Sequence, residues 1–396
     1  MVIKPSFDTW NCYNQRVLLR VDLNVPLEKD LIISDQKLKA IIPTLDALLE
    51  KNNEIILLSH IGRPEGVQSE LSSKILIGWF EKRGYNISFA PTIETIVKSP
   101  LQPHHIILFE NLRFFPGEKN ESLSFAQSLA KLAPWYVNDA FGTLHRNDSS
   151  ITLLANQYDE NHRSIGFLVE NELTILSSIK SESSHPITFV LGGGKISDKI
   201  PIIKHLCTFA DTIVLCPALV FTFLKALGKP IGNSLIDENA LSRSLEILSY
   251  AKKTNTTFIF PQDYLIAHSA KDGDLSFVME SDFPKHGVGI GIGPCTIKNL
   301  NSLLHKSRTI FYNGMMGFID KPKTLEPIKE LFTLLGKLDA TTIVAGGDSG
   351  AIIDLYNIPG ITYCLTGGGS SLAFLGGEEL PGLKPFLKNR AKSNQT

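Results

Sequence analysis

The feature that most constrains this chain is a rhythm: short apolar runs without polar alternation recur along it, separated by stretches with helical spacing. In the first half the runs are VLLRV (17–21), EIILLS (54–59), HIILFE (105–110) and WYVND (135–139). In the second half they are ITFVLGG (187–193), TIVLCP (212–217), TFIFPQD (257–263), TIFYNG (309–314), TIVAGG (342–347) and ITYCLTGGG (361–369). A strand covered on both faces has no solvent side, so such runs suit parallel sheets flanked by helices. Helical spacing between them is seen in Ile196, Ile200, Ile203 and Cys207. At 396 residues the chain is too long for one ordinary core. The fold expected is α/β, with two doubly wound (Rossmann-like) parallel-sheet domains joined by an interdomain helix. That helix is read in GFLVENELTILSSIK (166–180), where Val169, Leu173, Leu176 and Ile179 share one face, and polar SESSHP (181–186) follows. The expected domains are 1–165 and 183–375, with 166–182 as interdomain helix and hinge and 376–396 as a closing segment.

Composition narrows the function classes. The formal net charge of −1 favours neither a nucleic-acid binder nor a basic membrane-surface protein. Any anion site must come from local clustering. Cys12, Cys207, Cys216, Cys295 and Cys364 are dispersed, with no CxxC pair, and read as reduced cytosolic thiols. The start MVIKPSFDTW has no apolar signal-like run. The longest apolar run, 213–224, contains Pro217 and is short of the roughly 20 residues that span a bilayer. A cytoplasmic monomer with no nucleic-acid or membrane partner is expected.

In doubly wound sheets, ligands bind beyond the carboxyl ends of the strands. In the first half those ends carry Arg20, Asp22 and Asn24 (RVDLNVP), His60 and Arg63 (SHIGRP), Arg113 (ENLRFFPGE), and His145 and Arg146 (FGTLHRND). Any one arginine alone reads as a surface residue or a local salt bridge. Four at four strand ends suit a small, multiply charged anion, because guanidinium groups grip phosphate or carboxylate with two donors. In the second half the ends carry glycines: LGGGK (191–195), YNGMMG (312–317), AGGDS (345–349) and TGGGSS (366–371). Glycine lets backbone approach a ligand closely, and a helix that follows points free N–H groups at an anion. Lys195 and Lys199 stand i and i+4 on one helix face, where like charges repel unless a phosphate, or Asp198, relieves them. Asp348 and Ser349 read either as plain helix caps or as part of a phosphate site, with Asp348 holding Mg²⁺. There is no GxxxxGK[ST] loop, no GxGxxG opening a helix and no HExxH.

Taken in order, RVDLNVP, SHIGRP, ENLRFFPGEKN, VNDAFGTLHR, LGGGKISDKI, YNGMMGFID, AGGDS and TGGGSS resemble phosphoglycerate kinase over nearly the whole chain. The resemblance implies reversible phosphoryl transfer between 1,3-bisphosphoglycerate and ADP, giving 3-phosphoglycerate and ATP with Mg²⁺. It implies a C-terminal segment that returns to the first domain. It implies that Asp22, Asn24, His60, Arg63, Arg113 and Arg146 hold the phosphoglycerate; the strand-end reading adds Arg20 to these substrate-binding residues. Lys195 and Lys199, with Lys37, would act on the transferring group. Gly193, Gly194, Asn313, Asp320, Gly346, Gly347, Asp348 and Ser349 would line the nucleotide.

Three departures stand out. Lys37, in ISDQKLKAIIPTL, occupies a position where the family carries arginine. Cys216, Pro217 and Ala218 replace a glycine trio beside the adenine, so their side chains are expected to crowd the base. Met315 replaces a proline near the nucleotide. A second reading follows from these: a paralogue of the same fold with weak or redirected activity, acting as a ligand-binding or regulatory protein.

Overall fold

The computed structural model describes residues 7, 10–28, 31–181, 185–194, 196–267, 274–318 and 321–387. The chain divides into two compact units, Met1–Ile175 with Glu379–Thr396, and Leu176–Glu378. The division falls inside one helix, α1 (Phe167–Ser181).

Unit 1 is built on a six-stranded, all-parallel sheet of β1 (Arg16–Val21), β2 (Glu54–Leu58), β3 (Ile87–Ala90), β4 (His105–Phe109), β5 (Trp135–Asp139) and β6 (Arg163–Ile165). Their order across the sheet is β3-β4-β2-β1-β5-β6. β2 and β4 are buried along their whole length, which explains their unbroken apolar character. From β1 the chain first builds outward through β2 and β4, then returns to lay β5 against the other side of β1. The strand order therefore reverses around β1, and the crevice at such a reversal is where α/β sheets bind ligands. Residues 379–387 belong to this unit: Gly382 N donates to Leu144 O at 2.9 Å, and the Phe386 ring lies 6.4 Å from that of Tyr136.

Unit 2 repeats the plan with β7 (Ile187–Gly193), β8 (Thr212–Ala218), β9 (Thr257–Ile259), β13 (Thr309–Asn313), β14 (Thr341–Ala345) and β15 (Tyr363–Leu365). The order is β9-β8-β7-β13-β14-β15, again parallel, and the reversal lies between β7 and β13. The run TFIFPQD does not form one strand. It stops at Ile259, and after Pro261 the chain enters a separate antiparallel sheet of β10 (Asp263–Ala267), β11 (Leu275–Met279) and β12 (Val288–Ile292). Proline cannot donate to a ladder, so a break there is expected.

Among the described residues no helix is long and apolar enough to cross a membrane.

Candidate active site

In unit 1 the residues beyond β1, β2, β4 and β5 form one connected cluster. Asp22 sits just past β1 and is almost fully buried. Its Oδ2 takes a hydrogen bond from Lys37 Nζ at 2.7 Å, and its Oδ1 accepts from Asn24 N at 3.1 Å. Burial alone would raise this carboxyl. The Lys37 ammonium and the hydrogen bonds from Lys37 and Asn24 outweigh it and hold the group well below the usual carboxylate range. Asn24 Oδ1 accepts from Gly62 N at 2.8 Å, which ties the turn after β1 to the turn after β2. Arg113 donates from Nη1 to Gly62 O, and its Nη2 lies 4.0 Å from Asp148 Oδ2. Arg146 Nη1 lies 3.2 Å from His60 Nε2. Because arginine only donates, Nε2 accepts and the imidazole proton is on Nδ1. That Nδ1 is buried without a hydrogen-bond partner.

The electrostatics identify what the cluster lacks. Burial, with Arg20, Arg113 and Arg146, overrides Asp22 and keeps His60 neutral, well below its usual range. Arg113 is pushed down to about 10 by burial and then by Arg146. Arg146 is also lowered, first by burial, and Arg20 and Arg63 add to it. Arg63 is exposed yet near enough for its charge to reach both. Guanidinium groups held below their ordinary range by burial and one another are a site that gains from an anion.

Arg20 does not belong to the surface of this cluster, against the expectation from the sequence. It is fully buried on β1, and Nε donates to Ser150 Oγ at 2.8 Å. With no exposed atom it contributes field, not contact. Asp148 and Gly62, which the sequence reading passed over, are in the cluster. Gly62 was visible in SHIGRP as a strand-end glycine, whereas nothing in the sequence marked Asp148.

In unit 2 the glycine turns after β7, β13, β14 and β15 crowd together. Lys199, on α2 (Ile196–Leu206), is 9% exposed, and its Nζ donates to Gly192 O under the first turn. Gly193 and Gly194 lie in that turn; Lys195 lies outside the described residues, as does Asp320. Gly346 has φ of +126°, where side chains are disfavoured, and opens α3 (Gly347–Leu355). No side chain caps α3, so the N–H groups of Gly347, Asp348 and Ser349 begin the helix without that partner. Asp348 is exposed and Ser349 buried. Asn313, at the end of β13, donates from Nδ2 to Ala345 O at 2.8 Å. A Cβ at Gly368, the first residue of α4 (Gly368–Leu375), would fall 2.7 Å from that same Nδ2. Asn313 thus lies under two glycine turns and fixes their spacing.

The expected crowding by Cys216–Ala218 needs correction. Cys216 is 0% exposed and joins the core of Val190, Val214, Tyr312 and Met316; Pro217 is buried as well. Only Ala218 retains exposure. Cys216 fills the interior of unit 2. Met315 packs partly buried against the same core.

Fold and site together define a class: a doubly wound α/β protein of two units, one with a cluster of arginines and one with crowded glycine turns beyond its strands, the arrangement of a phosphotransferase. The comparisons specify it further. The family model described as phosphoglycerate kinase matches residues 7–378. A phosphoglycerate kinase of Finegoldia magna is 36% identical over 390 residues, covering 96% of this chain and 98% of that protein. One of Dictyoglomus turgidum is 36% identical over 378 residues, covering 93% and 94%. Among solved structures, phosphoglycerate kinase from Pyrococcus horikoshii aligns with a TM-score of 0.81 at 27% identity, over 97% of this chain and 98% of that one. That from Coxiella burnetii aligns with a TM-score of 0.77 at 28% identity, over 96% and 98%. The chain belongs to the phosphoglycerate kinase family and is a kinase.

Proposed function

We propose that this kinase binds 3-phosphoglycerate or 1,3-bisphosphoglycerate in unit 1 and an adenine nucleotide in unit 2, and moves a phosphoryl group between them. The observation that carries the acceptor assignment is the cluster of Lys37, Arg63, Arg113 and Arg146, faced by only Asp22 and Asp148 among the acidic groups described above. A ligand carrying a phosphate and a carboxylate relieves that imbalance. The amide of Asn24, partly exposed at the turn after β1, offers a neutral donor for its remaining oxygens.

The attacking or leaving group is a carboxylate, already ionised near neutral pH, so no general base is needed. What remains is in-line positioning and cationic stabilisation of the group in flight. Lys37 and Lys199, with Lys195, are assigned that work. Gly193, Gly194, Gly346, Gly347 and Ser349 take the nucleotide phosphates through their backbone, beside Asn313, and Asp320 takes the ribose.

Magnesium fits the donor set. Mg²⁺ is commonly held by one or two carboxylates together with substrate phosphates. Asp348 is one exposed carboxylate at the start of α3, and among the described residues no three-residue metal cluster competes with it. When bound, the ion would neutralise charge between the terminal phosphates. We read the protein as a cytoplasmic monomer.

The test is a coupled assay with glyceraldehyde-3-phosphate dehydrogenase, supplying ATP, Mg²⁺ and 3-phosphoglycerate. Turnover of at least roughly 1–100 s⁻¹, the range typical of kinases, is expected. Binding of both ligands without turnover would instead support a regulatory paralogue.

A further inference from the structure

Arg113 and Arg146 reach the site on different loops, after β4 and after β5, and their like charges push those loops apart. The structure shows what holds them. Five residues past Arg113, Glu118 lies fully buried in the short helix Pro116–Lys119. Four residues past Arg146, Ser150 lies fully buried in the short helix Ser149–Thr152. Glu118 Oε2 accepts from Ser150 N at 3.0 Å, and Glu118 Oε1 accepts from Ser150 Oγ at 2.6 Å. Arg20 rises from β1 beneath both: Nε donates to Ser150 Oγ at 2.8 Å, and Nη2 lies 4.0 Å from Glu118 Oε1. A second strut runs alongside, with Ser149 Oγ donating to Gly117 O at 2.7 Å.

We propose that Glu118 is a positioning residue for the acceptor: through Ser150 and over Arg20 it sets the separation of Arg113 and Arg146. This rests on reading those two arginines as ligands of the phosphoglycerate. The chemistry favours a geometric role. A buried charge pair seldom adds net stability over an apolar one, because desolvation offsets the attraction, whereas it does fix one arrangement of its neighbours. A carboxylate taking two hydrogen bonds from one residue, beside the Ser149–Gly117 bond, allows a single register between the two loops. Two guanidinium groups meeting one dianion need that register, since misplacement by about 1 Å can cost on the order of a hundredfold.

The experiment is calorimetric titration of the full-length protein with 3-phosphoglycerate and, separately, with MgATP, for Glu118→Gln, Ser150→Ala, Arg113→Ala and the Glu118→Gln/Arg113→Ala pair. Stoichiometry reports the folded fraction, so loss of fold and loss of affinity are read separately. Glu118→Gln is expected to weaken 3-phosphoglycerate about tenfold and to leave MgATP within about twofold. In the Arg113→Ala background the same change is expected to add little, because its effect acts through that arginine. An unchanged 3-phosphoglycerate affinity in Glu118→Gln, equal losses for both ligands, or full additivity in the pair overturns the proposal. If Arg113→Ala itself leaves 3-phosphoglycerate affinity unaltered, the reading of the site falls instead. Should Glu118→Gln fail to fold, Ser150→Ala, which removes only the bridging hydroxyl, is held to the same outcomes.

Discussion

Asp139→Asn is expected to stabilise this protein near pH 8 and to do nothing near pH 4. Asp139 ends β5 and is completely buried. Its Oδ1 accepts from Val169 N at 3.1 Å, at the start of the helix that carries the chain into unit 2, while Phe167 N is taken by Thr44 Oγ1 at 3.0 Å. Oδ2 has no hydrogen-bond partner. Burial therefore pushes the carboxyl up from 3.8 to about 6, despite the hydrogen bonds from Thr44, Val169 and Leu168. The sign follows from linkage. A raised folded value means that the folded state holds the proton more tightly, so its contribution is full below the ordinary value and is lost as pH rises through about 6. Each pH unit is worth about 1.36 kcal/mol, so ionisation costs on the order of 3 kcal/mol at neutral pH. Asparagine keeps the Oδ1 acceptor and removes the charge, and its buried NH₂ stands where the protonated carboxyl carries its own unpartnered O–H, so the two neutral forms are nearly equivalent and the gain near pH 8 is about 2–3 kcal/mol. For a unit of this size that is roughly 4–12 °C in Tm. Thermal melts followed by circular dichroism, for both proteins across that pH range, read it directly. A variant less stable than the native protein near pH 8, or a difference that persists near pH 4, refutes the reasoning.

Lys37→Arg is expected to raise kcat about tenfold, because one guanidinium nitrogen can keep the Asp22 contact that Lys37 makes at 2.7 Å while another meets the transferring group; equal or slower turnover in steady-state kinetics would show that the site is adapted to lysine. Gly368→Ala places a Cβ 2.7 Å from Asn313 Nδ2 and 3.0 Å from Gly346 Cα, so it should weaken nucleotide binding about tenfold and leave 3-phosphoglycerate affinity alone; titration with each ligand checks it. Cys216→Gly opens a cavity in the unit 2 core and should lower stability by roughly 1–3 kcal/mol in urea melts. A gain in ATP affinity from that same change would restore the view that Cys216 crowds the base.

The central strands were legible because burial on both faces erases every polar position: EIILLS and HIILFE admit few other readings. Edge strands were not. Ile87–Ala90 is only half covered and Arg163–Ile165 has three residues, so neither carries enough pattern to separate it from loop. The antiparallel sheet of unit 2 escaped because Gly289 and Gly291 dilute β12 and β11 alternates weakly. At the site, the strand-end rule located Asp22, Asn24, His60, Arg63, Arg113 and Arg146 together. It erred on Arg20, because sequence does not say whether the last arginine of a strand points over the sheet's edge or down into the neighbouring layer. Glu118 and Ser150 decide that, and they are 98 and 130 residues away along the chain. The same blindness applied to Cys216: a residue opposite a ligand turn and a residue under it differ by one step of strand register.

The most direct test of the account is whether the two ligands are held by the two units independently. Arg63→Ala and Arg146→Ala should be titrated with 3-phosphoglycerate and with MgADP in separate experiments. Removing a charge-assisted pair is worth about 1.5–3 kcal/mol, so 3-phosphoglycerate should weaken by roughly ten- to a hundredfold in each, with MgADP changed by less than about twofold. Comparable losses for both ligands, or undiminished 3-phosphoglycerate binding in both variants, would contradict it.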